Sequence, residues 1–320
     1  MQRLTDLFRG RLSDERGATA VVFALILIPV LGFSALAVDI GSLYAERARL
    51  QVAADAAAIA VAQDCSRGNC GDMLGTARAM VVANDGDATA AQPQLSSAPL
   101  SVTVTGRTPV RHWFAPVIGH DATGVSATAT VGWGSPSEGP AVLPLAFSWC
   151  AFDNQTHGGL PSGTTLQVLK LTKTDGATEC HPPSGNDIPG GFGFVTTDPG
   201  QRCRATSRVA AVLKVDTGES PSSGCAPADF ASYLDKTVLL PIYDQAGGTG
   251  SGGWYRVYGY AAFVLKGYAF TGQFKSNPAP CSGSTRCVSG YFTRFVELGD
   301  AWKYSPTAPS LGASILRLIR

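Results

Sequence analysis

The chain has 320 residues, 45% of them hydrophobic and only 15% charged, with a formal net charge of +1. That balance excludes a disordered polyelectrolyte, and without a basic face nucleic acid is not an expected partner. Eight cysteines, 37 glycines and 20 prolines point instead to a cross-linked, turn-rich fold.

From Thr19 to Val38 the sequence TAVVFALILIPVLGFSALAV carries no charge. About 20 residues rising about 1.5 Å each reach roughly 30 Å, the thickness of a hydrocarbon core. Backbone polar groups in lipid need internal partners, so the run is expected to be a helix. Arg3, Arg9, Arg11 and Arg16 precede it, whereas Arg47 and Arg49 follow. Positive flanks stay inside, which predicts a cytoplasmic tail over 1–16, a single transmembrane helix over 17–38 and the remainder outside. Ala35-Leu36-Ala37 also fits a signal-peptidase site. Against cleavage, the apolar run exceeds a signal core of about 7–15 residues, and the helical sequence continues through the cut.

Residues 40–62 read as an Ala-rich helical stalk. Ile40, Leu43, Leu50, Ala54, Ala57 and Val61 fall on one face, interrupted by Arg47. Alanine permits close helix approach, so Leu50, Ala54, Asp55, Ala57 and Ala58 are candidate helix-packing residues. Asp39, just past the membrane, is a candidate partner for a neighbouring helix. The plainer readings are an acid marking the water interface for Asp39 and a solvated face for Asp55. Span and stalk together predict a rod of roughly 65 Å, with a bend at Pro29.

A second helix is expected over DMLGTARAMVVAND, ended by Asp85-Gly86-Asp87, and a polar linker over 88–99. Strands 100–106 and 123–133 alternate with period two. Between them HWFAPVIG is expected to form one helical turn that caps Val102, Val104, Val125, Ala127, Ala129 and Val131. GSPSEG, 134–139, is the expected domain boundary, separating a stalk and small α/β module (39–133) from a β-rich extracytoplasmic domain (134–320). Further strands are expected at 142–149, 164–171, 209–215, 237–243, 254–271 (with a bulge or break near Gly259) and 289–297, with a helical turn at 229–234 and a hairpin loop at 247–253. The fold class is therefore α+β: a single N-terminal transmembrane helix and helical stalk, then a mostly antiparallel β region with disulfides.

All eight cysteines, Cys65, Cys70, Cys150, Cys180, Cys203, Cys225, Cys281 and Cys287, follow the span. In an exported region they are expected to form disulfides, with 105 possible pairings. Cys65/Cys70 and Cys281/Cys287 are spaced to close small local loops. Zinc would need CxxC-like knuckles or clustered histidines, and the sequence has neither, so no metal is expected.

No catalytic residues or cofactors are expected. A hydrolase would need a nucleophile, base and orienter in register, and no GxSxG frame occurs. His157 and His181 adjoin turns, Cys180 reads as a disulfide half, and GGTGSGG lacks the ending of a phosphate loop. Aromatics gather between Trp254 and Phe295; alternation assigns half to the core, and for the other half core and sheet packing is the default reading, with a binding surface for a pilus subunit or glycan as the alternative.

Arg16 to Ala60 resembles the TadE/TadG-type segment of bacterial Flp (tight-adherence) pilus assembly proteins. The resemblance rests on the Arg-Gly before the span, the apolar run, Val38-Asp39 at its exit, and the Leu50-Gln51…Ala53-Ala54-Asp55-Ala56-Ala57-Ala58 pattern. The β module at 100–133, with Phe114 and Gly119, extends it to about 130 residues. It implies a non-catalytic, membrane-anchored accessory or minor structural component of a Flp-type pilus assembly or secretion apparatus in the bacterial cell membrane. Implied partners are other pilus-assembly membrane proteins or pilin subunits. Val22 stands where pilin-like members carry Glu, so polymerisation through this helix is not implied. The competing readings are an anchored or secreted hydrolase and a cell-surface binding protein unrelated to pili.

Overall fold

The computed structural model describes residues 15–171, 181–221, 224–298 and 300–319. The chain forms a long N-terminal apolar helix followed by mixed, mostly antiparallel sheets, an α+β fold. It divides into two compact units. The first holds the chain to Ala57 with Leu74–Pro93 and Val104–Ala129; the second holds Ala58–Met73, Gln94–Thr103 and Thr130 onward.

The first elements are α1 (Glu15–Ser66), α2 (Met73–Asn84), β1 (Thr89–Ala90), β2 (Gln94–Ser97), β3 (Leu100–Arg111) and β4 (Ala122–Ala141). Helix α1 runs unbroken through Pro29 and is long and apolar enough to cross a membrane. Alanine, the strongest helix former, is its commonest residue, 14 of 52. The expected linker at 88–99 instead supplies two short strands, β1 and β2, antiparallel to β3.

Within the first unit α1 packs on the sheet through Leu50. A Cβ at Gly106 of β3 would lie 2.9 Å from Leu50 Cδ1, so glycine sets the close approach. Gln51 Nε2 donates to the Thr128 carbonyl at 3.3 Å and to Asp55 Oδ1 at 2.8 Å. Helix α2 buries Ala77 and Val81.

The second unit continues with β5 (Leu145–Ser148), α3 (Trp149–Thr156), β6 (Gln167–Lys170), β7 (Phe192–Val195), β8 (Ala205–Arg208), β9 (Val212–Asp216), α4 (Pro227–Ala231), β10 (Thr237–Gly247), β11 (Trp254–Ala269), β12 (Cys287–Thr293), β13 (Phe295–Leu298), β14 (Lys303–Ser305) and β15 (Ala313–Ile319). Strands β10, β5, β7, β9 and β11 close a circuit, because β10 pairs with both β5 and β11. The β10–β5 pair is parallel and the rest of the circuit antiparallel. β12 and β6 extend it. Phe147, Phe192, Phe263 and Phe292 fill the core; Phe147 stands 4.8 Å from Phe263 and 5.6 Å from Phe292, ring centre to ring centre.

Several expectations shift here. The expected strand 142–149 is cut short because Ser148 Oγ accepts the Ala151 N–H at 3.1 Å and starts α3. Region 209–215 is divided by Ala210 in the left-handed conformation (φ 64°). Strand β11 is continuous, with a bulge opposite Tyr243 beside Gly259, and 247–253 is the loop of the β10–β11 hairpin. GSPSEG lies inside strand β4, not in a linker.

Cys65–Cys70, Cys203–Cys225 and Cys281–Cys287 are disulfides. Cys150 is also disulfide-bonded, and Cys180 lies outside the described residues.

Candidate interaction site at the end of the apolar run

Asp39, the first charge after the apolar run, is almost wholly buried, at 5% exposure. Its carboxylate accepts three backbone N–H groups: Trp113 to Oδ1 at 2.8 Å, and Phe114 (3.2 Å) and Ala115 (2.8 Å) to Oδ2. These are the orphan donors that open the 3-10 turn Ala115–Ile118, where Pro116 fixes φ and Gly119 ends the turn. Burial pushes the Asp39 carboxyl up, but the three N–H donors and nearby His112 outweigh it and hold the group below its ordinary range. The base of the loop is closed by His112 N–H to the Asp121 carbonyl (3.0 Å) and by a 2.8 Å bond between His112 Nε2 and Thr123 Oγ1.

The turn does not close over the strands as its sequence suggested. Val102, Val104, Ala127, Ala129 and Val131 are buried, yet Val117 is 90% and Ile118 71% exposed. Trp113 is 78% exposed. With Leu31, Gly32, Ala35, Leu36 and Val38 of α1, the turn lines an open apolar groove of about 630 Å³.

The other predicted packing residues are spent inside the chain. Leu50, Ala54, Ala57 and Ala58 have no exposed surface, and Asp55 is half-buried. The expected seam for neighbouring helices is therefore already covered by this chain. Asp39's partner is likewise a turn of the same chain, 74 to 76 residues away in sequence. No local pattern marks such a contact; the sequence offered only a helical turn, HWFAPVIG, between two strands.

The late aromatics follow the default reading of core and sheet packing. Tyr255, Tyr260, Phe263, Tyr268, Phe270 and Phe292 are buried, while Trp254, Tyr258, Phe274, Tyr291 and Phe295 are half-buried. His181 pairs with Asp187 at 2.8 Å on exposed surface, and His157 ends α3 in the left-handed conformation. Among the described residues no group of three or more His, Cys, Asp or Glu is placed to hold a metal.

Residues 17–64 match the family model described as "Putative Flp pilus-assembly TadE/G-like". The match is confined to that segment, 48 of the 320 residues. It covers nearly all of α1 and ends one residue before the first disulfide. No curated protein and no solved structure matches the chain. The TadE/G-like domain suggests involvement in Flp pilus assembly, and its apolar helix together with the disulfides fits a membrane-anchored, extracytoplasmic protein.

Proposed function

We propose that the chain is a non-catalytic, membrane-anchored accessory or minor structural component of a Flp-type pilus assembly or secretion apparatus, with residues 39 onward outside the cytoplasm. The observation that carries this reading is the TadE/G-like match over 17–64. Burial within that domain supports a division of contacts. One face of its second half is buried within this chain, so other membrane helices of the apparatus meet the bare stretch between Val21 and Val38. The disulfide-linked β region presents a rigid surface outside. Partners are other pilus-assembly membrane proteins or pilin subunits.

A photo-crosslinking residue placed at Leu27 in cells, with Val52 as comparison, tests the assignment. Adducts to an assembly membrane protein or pilin at Leu27, together with loss of piliation on deletion, are expected. Unchanged piliation after deletion overturns the proposal.

A further inference from the structure

The geometry points to the Trp113–Ile118 turn as a second membrane contact, a loop that dips into the outer half of the bilayer beside the anchoring helix. This rests on the reading that α1 spans a membrane. Three contacts set the depth. Leu50 meets Gly106, Gln51 meets Thr128, and Asp39 holds Trp113, Phe114 and Ala115. The β3–β4 hairpin thus runs along the helix from Leu50 back to Asp39, about 16 Å at 1.5 Å per residue, with its tip toward the apolar run.

Asp39 directly follows Val38, so whatever its carboxylate grips sits at the hydrocarbon boundary. The tip goes further. Its groove is shared with Leu31, about 12 Å along the helix before Asp39 and inside the apolar run. A helix residue immersed in acyl chains cannot wall one side of that groove while the other side stays in water. The side chains on the far wall suit the position: Phe114, Val117 and Ile118 are apolar and exposed. Trp113, with an apolar ring and a polar N–H, is the residue type of membrane interfaces. Arg111, His112 and His120 flank the tip at headgroup level, as does Tyr44 on α1, 76% exposed. The occupant of the groove is therefore lipid acyl chain, continuous with the lipid around α1. Exposing such a patch to water would be unusual for a folded protein, and insertion of about 5–10 Å matches known interfacial elements.

The test uses the full chain in vesicles of phosphatidylethanolamine and phosphatidylglycerol whose acyl chains are brominated near the glycerol end. Bromine quenches tryptophan only at short range. Wild-type emission is expected to be quenched, and the quenching is expected to disappear in Trp113→Phe. Val117→Ser/Ile118→Ser, at exposed positions, should weaken it severalfold while the protein still floats with the vesicles. Equal quenching in wild type and Trp113→Phe, with flotation intact, overturns the dipping loop but spares the anchor. Loss of flotation would instead overturn the spanning helix. Quenching that falls as protein is concentrated in the bilayer would assign the groove to a second copy and also overturn the proposal.

Discussion

The two halves of α1 differ in charge and in side-chain size, and they meet different surroundings. Between Val21 and Val38 large side chains, Phe23, Leu25, Ile28 and Phe33 among them, stand exposed on every side. From Leu50 onward one face is mostly alanine and has no exposed surface. Side-chain size separates the halves as well as hydropathy does. Bulky aliphatic residues around a whole helix gain nothing from one protein neighbour and require an apolar solvent. Small residues let a sheet approach to backbone distance, as Gly106 and Leu50 show.

The largest effect should come from adding bulk to the packed half. Ala54→Leu with Ala57→Leu inserts methyl groups where none fit, costing about 1–3 kcal/mol per site by overpacking. Thermal unfolding in detergent should show a marked fall. The matching change at exposed Ala37 should leave the melting temperature unmoved, and an equal fall there would erase the distinction between the halves. Charge should discriminate in the opposite sense. Ile28→Arg opposes membrane insertion by about 2.5–3.5 kcal/mol, whereas Val52→Arg, at an exposed site of the packed half, should stay within about 0.5 kcal/mol of wild-type stability. Carbonate extraction of membranes reads the first and thermal melting the second. A smaller loss, about 1 kcal/mol, is expected for Gly106→Ala, since Leu50 must shift to admit the methyl.

Helix α1 was legible because both its signals are local: an uncharged run and a three-four spacing. The strong strands β10 and β11 were legible for the same reason. What escaped depends on distant partners. Strand β15 acquires its place from a parallel pairing with β13 and an antiparallel one with β4, and β14 is three residues long. GSPSEG drew notice as a boundary by its composition, yet it lies within β4. At Gly139 the Trp302 ring lies where a Cβ would stand, so the glycine serves close approach within a strand. The candidate site was half visible. Asp39 was singled out, but its ligands were not, and the alanine seam was assigned to other proteins although this chain fills it.

The smallest effect concerns two carboxylates on α1 that titrate in opposite senses. Glu46 is pushed above its ordinary value of 4.5, first by burial and then by the hydrogen bond and negative charge of Asp85, with Arg49 offsetting part of it. Its folded form prefers the proton, so its contribution to stability is complete below 4.5 and lost as pH rises through the raised value. Asp39 lies below 3.8, so its contribution is complete above 3.8 and lost as pH falls through the lowered value. Melting temperature followed against pH should therefore show a small decrement as pH rises through the raised Glu46 value in wild type but not in Glu46→Gln. Asp39→Asn should remove the acid-side decrement and lower stability at neutral pH, since an amide turns an NH2 toward donors that need acceptors. If Asp39→Asn instead matched wild type at neutral pH, the turn would be held by its own proline and glycine. The carboxylate would then be a bystander at the boundary between the two halves of the helix.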